Sequence, residues 1–217
     1  MEQKDIVLIG ASGLGQEVLW LINEINDCSK VYNVLGFIDK ALEMHGKIVY
    51  GIPVLGDDQW LIDYPKEICA VICVGKPHIR KAIYERIKSN PQISFTSIVA
   101  RDLKCSDSNK IGQGCIISFS NVLTVNVSLG DFVIINYDCT IGHDAILDNY
   151  VTLYPKANIG GNTYIGACTE MGSGSNIIQG KSVGENTIIG ASSLVIKDIP
   201  AHCTAVGAPA APIKYHD

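Results

Sequence analysis

The chain has 217 residues, which is enough for one or two domains with hydrophobic cores of useful size. Its 17 Lys and Arg residues and 22 Asp and Glu residues give a formal net charge of −5 without any basic run, so we expect no nucleic-acid partner. Hydrophobic residues make up 47% of the chain, but no apolar run approaches the length of a bilayer-spanning helix, so we expect no membrane partner.

The N-terminal segment and the cysteines indicate the compartment. Residues 1–5 include acidic side chains, and the apolar run at 6–9 is too short for a signal peptide, so a cytoplasmic protein is expected. The eight cysteines form no Cys-x-x-Cys pair, and several of them lie in apolar stretches. We therefore expect reduced, buried thiols.

The first hundred residues alternate between strand and helix patterns. The predicted strands are 6–9, 34–38 and 69–74, and the predicted helices are 16–26, 57–63 and 77–88. Asp57 is expected to cap its helix, Pro77 to open the last one, and residues 51–56 to form a connection. This alternation predicts a small parallel sheet in an α/β domain at 1–100.

A glycine-rich turn after the first strand is a candidate nucleotide site. Gly10, Gly13 and Gly15 lead into a helix whose N-terminal N–H groups and dipole suit a phosphate. Asp39 follows the second strand about twenty residues later, where a ribose-binding acid is expected. Ser12 replaces the middle glycine of the dinucleotide fingerprint. A nucleotide site is favoured over a purely structural turn, and a full NAD site is not expected.

From residue 111 onward the sequence has a period of six, which is the signature of a parallel β-helix. A small residue usually follows four places after the repeated apolar residue, with exceptions at Asn121, Lys181 and Ile199. Each hexad is interpreted as one short strand and a corner, so fifteen hexads predict five triangular coils in unbroken register within a domain at 101–217. The repeated apolar residues are Ile111, Ile117, Leu123, Leu129, Ile135, Ile141, Leu147, Leu153, Ile159, Ile165, Met171, Ile177, Val183, Ile189 and Val195.

His143 is the one histidine inside this repeat, at the third, outward-facing place of its hexad. Gly161 is eighteen residues later and is expected directly above it, leaving open space and a backbone N–H beside the imidazole. Such an arrangement suits a general base next to an oxyanion-binding amide. Asp144 is expected to stabilise the imidazolium if the chain bends there. The alternative interpretation is a solvated histidine beside a turn.

The order of these features resembles the sialic acid O-acetyltransferase family of left-handed β-helix hexapeptide acyltransferases. The resemblance rests on the glycine turn, the hexads of the form [Ile/Leu/Val]-Gly-x-x-[small]-x, the Gly-His-Asp triplet and the Val-Gly-Ala-Pro-Ala segment at 206–210. The family includes acetyltransferases for nucleotide-linked 4-amino sugars such as bacillosamine and perosamine. It implies a left-handed coil, a homotrimer, and coenzyme A in a groove between neighbours.

The resemblance also assigns residues. It implies that His143 is the general base, Asp144 its acidic neighbour and Asn136 a polar residue near the acceptor sugar. The positions expected to bind acetyl-CoA are Thr152, Gly161, Ser173, Ala191 and Lys214. The positions expected to bind the nucleotide sugar are Ser12, Gly13, Leu14, Asp39, Lys40 and Gly75. The chain departs from the family at Thr152, where relatives can have histidine, at Leu14, where they often have histidine, and at Ala211, where they often have lysine.

These features predict an acetyl-CoA-dependent N-acetyltransferase acting on the amino group, at C4, of a nucleotide-linked amino sugar, without a metal. A sialic acid O-acetyltransferase and a non-catalytic sugar-nucleotide-binding protein remain alternatives. A zinc carbonic anhydrase on a similar coil is disfavoured, because the single histidine of the repeat cannot supply several ligands to one metal. The nucleotide, the sugar, the exact acyl group and the pathway stay open at this point.

Overall fold

The computed structural model describes residues 3–216, which divide into two compact units with a boundary between Ile98 and Val99. No helix within this range is both long enough and apolar enough to cross a lipid bilayer.

The first unit contains a six-stranded sheet in the order β3, β4, β2, β1, β5, β6, and its pairings are parallel except in the β3–β4 hairpin. The predicted small parallel sheet is therefore confirmed. Its elements are β1 (Lys4–Ile9), α1 (Gly13–Asn26), β2 (Tyr32–Ile38), a 3-10 turn (Leu42–Met44), β3 (Ile48–Val49), β4 (Ile52–Gly56), α2 (Asp58–Ile62), β5 (Ile68–Ile72), α3 (Pro77–Ile87) and β6 (Ile93–Phe95).

The expected connection at 51–56 is wrong, because Ile52–Gly56 forms strand β4. This strand pairs with β2 through Phe37 and Val54 and with the two-residue strand β3 on its other edge. The strand was missed because two glycines and a proline in six residues are typical of a loop. Gly36 allows the close approach of the strands, since a Cβ there would lie 2.4 Å from the carbonyl oxygen of Pro53.

The second unit is a parallel β-helix whose strands pair with strands eighteen residues away. Side one consists of β7, β10, β13, β16, β19, β22, β24 and β25, side two of β8, β11, β14, β17, β20 and β23, and side three of β9, β12, β15, β18 and β21. The bounds are β7 (Ile98–Val99), β8 (Lys104–Cys105), β9 (Lys110–Ile111), β10 (Ile116–Ile117), β11 (Val122–Leu123), β12 (Ser128–Leu129), β13 (Ile134–Ile135), β14 (Thr140–Ile141), β15 (Ile146–Leu147), β16 (Thr152–Leu153), β17 (Asn158–Ile159), β18 (Tyr164–Ile165), β19 (Glu170–Met171), β20 (Asn176–Ile177), β21 (Ser182–Val183), β22 (Ile188–Ile189), β23 (Leu194–Val195), β24 (Cys203–Gly207) and β25 (Ala210–Tyr215).

The repeated apolar residues form the core of the coil, as predicted. From Ile117 to Val195 all of them are at most 4% exposed. Ile111 is 37% exposed because β9 is the terminal strand of side three. The register is unbroken from β8 to β23, so no loop interrupts the stack.

Asn121, an exception to the pattern of small residues, is nevertheless completely buried. Its Nδ2 donates to the carbonyl oxygen of Ser118 over 2.8 Å, and its Oδ1 accepts from the Cys139 N–H over 2.8 Å. A buried amide is tolerated here because both its donor and its acceptor are satisfied.

The corners of the coil adopt the left-handed backbone conformation. Every sixth residue from Gly114 to Ser192 has a φ between 53° and 68°. Eleven of these fourteen residues are not glycine, and none is β-branched. β-branched side chains are the least compatible with this conformation. Their absence from every sixth position of the repeat therefore indicates the left-handed corners from the sequence alone.

The cysteines agree in part with the expected buried thiols. None of the eight forms a disulfide; Cys73, Cys115, Cys139, Cys168 and Cys203 are buried, but Cys28 and Cys105 are exposed. Burial raises the pKa of Cys139 to about 11, so this thiol stays protonated and unreactive at neutral pH.

Two serines stacked in the core give a matched test of buried hydrogen bonding. Ser175 Oγ is buried without a hydrogen-bond partner anywhere in the described chain, whereas Ser193 Oγ accepts from the Gly207 N–H over 3.0 Å. Ser175→Ala removes an unsatisfied group and should leave the free energy of unfolding unchanged or raise it by about 1 kcal/mol.

Ser193→Ala should instead lower the free energy of unfolding by about 1 kcal/mol, because it removes the hydrogen bond to the Gly207 N–H. Denaturant unfolding of the two variants and the parent chain checks the difference. Equal destabilisation by both substitutions would contradict the assignment of the unpaired hydroxyl to Ser175.

Candidate active site

His143 lies at the corner between sides two and three, after β14 and before β15. The adjacent Asp144 occupies the left-handed position of the corner, with a φ of 59°. This conformation supplies the bend that successive residues of a straight strand would lack. The two side chains, 54% and 46% exposed, consequently point outward together.

The imidazole and the carboxylate are hydrogen-bonded, with 2.9 Å between His143 Nδ1 and Asp144 Oδ2. A carboxylate only accepts, so Nδ1 carries the proton and Nε2 presents its lone pair. Hydrogen bonds from His143 and then Asn126 hold the pKa of Asp144 below its usual range. The stabilisation from this ionised carboxylate is present above its unfolded pKa and is lost as pH falls through the folded pKa.

Gly161 lies against the free face of the imidazole. A Cβ at this position would lie 2.6 Å from His143 Nε2. The Asn162 N–H donates to the His143 carbonyl oxygen over 2.7 Å, which fixes one coil on the other. Within residues 3–216 the Gly161 N–H donates to no other group. A lone pair and an unused N–H therefore lie close together, as a base and an oxyanion site require.

Asn126 was missed by the sequence reasoning. It lies eighteen residues before Asp144, and its Nδ2 donates to Asp144 Oδ1 over 3.1 Å. The same spacing that relates His143 to Gly161 would have identified it.

The residues expected near the acceptor sugar and coenzyme A are not all at this corner. Asn136, Ser173 and Ala191 lie at the corner between sides one and two, after β13, β19 and β22. Asn136 Nδ2 donates to the carbonyl oxygen of Leu153 over 2.7 Å, and its Oδ1 accepts no hydrogen bond from the described residues. In a single chain, this second corner is six residues away from His143, which corresponds to at most about 20 Å.

Thr152, which is expected to bind coenzyme A, lies in β16 on side one, and its side chain is completely buried in this chain. The hexad predicts that the side chain points away from the prism axis, but not whether anything covers it. Lys214 lies on the last strand, β25, and is exposed.

The first unit has an open cleft of about 690 Å³ at the carboxyl ends of β1, β2 and β5, the place where parallel sheets bind ligands. Of the predicted nucleotide residues, Ser12, Asp39 and Lys40 line it, whereas Gly13, Leu14 and Gly75 do not. Gly10 of the predicted glycine turn also lines it, and the lining residues that sequence reasoning missed are Ile9, Ile38, Asp57, Asp58, Gln59, Ile62, Val74, Ile79, Ile83 and Arg86.

Asp39 holds the glycine turn in place. Its two carboxylate oxygens accept from the Ala11 N–H over 2.9 Å and the Ala41 N–H over 3.0 Å. Gly15 is required by packing, since a Cβ there would lie 2.0 Å from the Gly10 carbonyl oxygen. The turn therefore brings the N-terminus of α1, at Ser12, to the edge of the cleft.

The described part of the chain contains no group of three His, Cys, Asp or Glu side chains arranged to hold a metal ion.

The chain has the fold of the hexapeptide acyltransferases, a left-handed parallel β-helix after an α/β domain, and its similarity to solved acetyltransferases identifies it as an acyltransferase. Residues 5–87 match the family described as the PglD N-terminal domain. A search of curated proteins finds no relative that matches this chain.

Among solved structures, the acetyltransferase domain of PglB from Neisseria gonorrhoeae FA1090 is 29% identical, with 97% of this chain and 100% of that chain covered and a TM-score of 0.88. The same domain has been solved with acetyl coenzyme A. WeeI from Acinetobacter baumannii AYE is 25% identical over 97% of this chain and 100% of that chain, with a TM-score of 0.86.

PerB from Caulobacter crescentus, solved with CoA and GDP-perosamine, is 24% identical over 97% of both chains, with a TM-score of 0.87. The resemblance and the fold class predicted from the sequence are thus confirmed.

Gly161→Ala tests the close approach above the imidazole. The backbone of Gly161 lies outside the left-handed region, so alanine fits it, but the new methyl group displaces the imidazole. We expect the chain to fold and the acyl-transfer kcat/KM to fall by about 100-fold, as for a misplaced catalytic group. Turnover assays with a thermal unfolding control check this, and parental kcat/KM in the variant would contradict it.

Proposed function

We propose that the protein is an acetyl-CoA-dependent N-acetyltransferase acting on the C4 amino group of a nucleotide-linked amino sugar. The observation that carries the proposal is the imidazole of His143, oriented by Asp144 and lying beneath the unused N–H of Gly161. The full-length similarity to the acetyltransferase domain of PglB, which has been solved with acetyl coenzyme A, supports it.

The proposed reaction is a direct transfer. The amine nitrogen attacks the thioester carbonyl carbon while His143 Nε2 takes its proton. The Gly161 N–H donates to the oxyanion that forms, and Asp144 stabilises the imidazolium. The C–S bond then breaks, and the imidazolium returns the proton to the departing thiolate. The amide product and free coenzyme A account for all atoms, and the base is regenerated.

The cleft of the first unit is proposed to bind the nucleotide. The N-terminus of α1 at Ser12 and the ammonium group of Lys40 lie at its edge and suit a diphosphate. Ile38, Ile79 and Ile83 supply apolar lining for a base or sugar ring. The nucleotide site and the acyl-transfer site thus belong to different units, each with its own structural support.

A homotrimer is proposed because the candidate site is divided between two corners of one prism. Three copies that turn side two toward a common axis place the His143 corner of one copy against the Asn136 corner of its neighbour. Side two suits such an interface, since Thr140 Oγ1 donates to Asn158 Oδ1 over 2.7 Å and Asn158 Nδ2 donates to Asn176 Oδ1 over 2.9 Å. Because these side chains hydrogen-bond to one another, burying them against a neighbouring protomer carries only a small desolvation penalty. Coenzyme A would lie in the groove between the two corners.

The proposed activity is tested by measuring acetyl transfer from acetyl-CoA to UDP-, GDP- and dTDP-linked 4-amino sugars and to sialic acid. His143→Ala should lower kcat by about 10²- to 10⁴-fold on the preferred amino sugar, because the general base is lost. The thermal midpoint should hardly change, since the side chain is half exposed.

Unchanged turnover in His143→Ala would remove the mechanism. Transfer only to sialic acid would indicate an O-acetyltransferase, and nucleotide binding without any transfer would indicate a sugar-nucleotide-binding protein.

Co-expression of two inactive variants tests the shared site. His143→Ala and Asn136→Ala should each be strongly impaired alone. In the proposed arrangement, every mixed trimer has one site in which an intact His143 faces an intact Asn136, so activity should partly return. Differently tagged chains purified in tandem provide the mixed trimers. Mixed trimers without recovered activity would contradict a site built from two protomers.

A further inference from the structure

A column of short polar side chains runs along the corner that carries the candidate base. Ser108, Asn126, Asp144 and Asn162 are each eighteen residues apart, so they lie one above another on successive coils. Ser108 Oγ accepts from the Asn126 N–H over 2.9 Å, which ties the lower two together.

Asn126 and His143 share the carboxylate of Asp144 between them. Asn126 Nδ2 donates to Oδ1 over 3.1 Å, while His143 Nδ1 bonds to Oδ2 at 2.9 Å. Because a carboxylate only accepts, the amide nitrogen of Asn126, and not its oxygen, must face Asp144. Each carboxylate oxygen therefore has its own donor, which fixes the rotation of the group about its Cβ–Cγ bond.

The backbone limits the freedom of both partners. Asn126 and Asp144 each occupy the left-handed corner conformation, at φ 57° and 59°. The Asp144 N–H also donates to the Val125 carbonyl oxygen over 3.0 Å, so the two corners are held in register. The short side chain of Asn126 reaches Asp144 and supplies the donor that the carboxylate requires.

Asn162, on the coil above, does not play the same part. Its Nδ2 lies 3.5 Å from His143 Nδ1, but that nitrogen already uses its hydrogen for Asp144 and has no lone pair to accept. The side-chain hydrogen bond that supports the His143–Asp144 pair therefore comes from the coil below, from Asn126.

We propose that Asn126 is a positioning residue for the transfer reaction, which orients the Asp144 carboxylate so that His143 keeps Nδ1 protonated and Nε2 free. The inference rests on the proposed function of His143 as the base. Asn126 touches no reacting atom and acts only through Asp144. Loss of its amide leaves the carboxylate free to rotate away from the imidazole, so the base spends less time in the reactive orientation.

Asn126→Gly is the cleanest test, since glycine adopts the left-handed conformation without strain and only the amide is lost. Asn186→Gly is the matched control. Asn186 has the same place in its hexad, with a φ of 53°, but lies at the corner between sides three and one. No described hydrogen bond joins its side chain to His143 or Asp144.

Two measurements are made on both variants. For Asn126→Gly we expect about a tenfold loss of kcat, the value of one hydrogen bond to a charged group, with KM for acetyl-CoA unchanged. Carbon NMR of the Asp144 carboxyl group should show its pKa rising toward the ordinary range, because the Asn126 hydrogen bond contributes to its depression. Asn186→Gly should match the parent in both measurements.

Equal behaviour of the two variants in both measurements would overturn the role of Asn126. The carboxyl titration needs no substrate, so it separates this outcome from a failure of the proposed function. If His143→Ala retains full turnover, the proposed function fails. If His143→Ala is inactive and Asn126→Gly behaves like Asn186→Gly, only the positioning role fails.

Discussion

Stacking of coils at intervals of eighteen residues is the constraint on which the rest of the second unit depends. The inward residues from Ile117 to Val195 form a continuous apolar column, and the parallel backbone hydrogen bonds join residues of successive coils. A shift by one residue would exchange core and surface side chains, so the register is strongly determined. Because the core fixes the register, it also fixes the height and corner of every outward side chain. The close approach of Gly161 to the imidazole of His143 therefore results from the packing of the coil and does not require a specialised loop.

The left-handed corners allow adjacent side chains of this regular coil to point outward together and form the candidate site. In a straight strand, neighbouring side chains point to opposite faces, and a histidine could not bond to the next residue. At the corner, the φ of 59° at Asp144 turns both side chains outward. The glycine above leaves space for the imidazole, and the asparagine below bonds to the carboxylate. The His143–Asp144 pair, the unused amide of Gly161 and the amide of Asn126 thus come from three adjacent coils, each contributing the residue type that its place in the hexad allows.

Most of the architecture could be predicted because it follows from a short period, and His143 and Gly161 could be paired by counting along that period. Strand β4 could not, since its Gly and Pro residues are those of a loop and its pairing partner is distant in sequence. Thr152 shows that a repeat gives the direction of a side chain but not its burial. The role of Asp39 in holding the Ala11 N–H, 28 residues away, likewise depends on tertiary contact. The sequence shows that the chain must bend at Asp144 if its side chain is to reach His143. The left-handed corner that produces this bend has only one sign in the sequence, which is the absence of β-branched residues at every sixth position.

The uninterrupted register of the coil has a consequence for how such a chain can change in length. An insertion of eighteen residues beyond the site adds one full turn, about 4.8 Å of height, and leaves every existing vertical neighbour in place. An insertion of six between Asn126 and Asp144 would instead rotate everything after it by one side, and the imidazole would emerge at a corner with other neighbours. Insertion of a single hexad within the site therefore separates its residues, whereas insertion of a whole turn beyond the site, or extension at the ends of the coil, leaves their contacts in place.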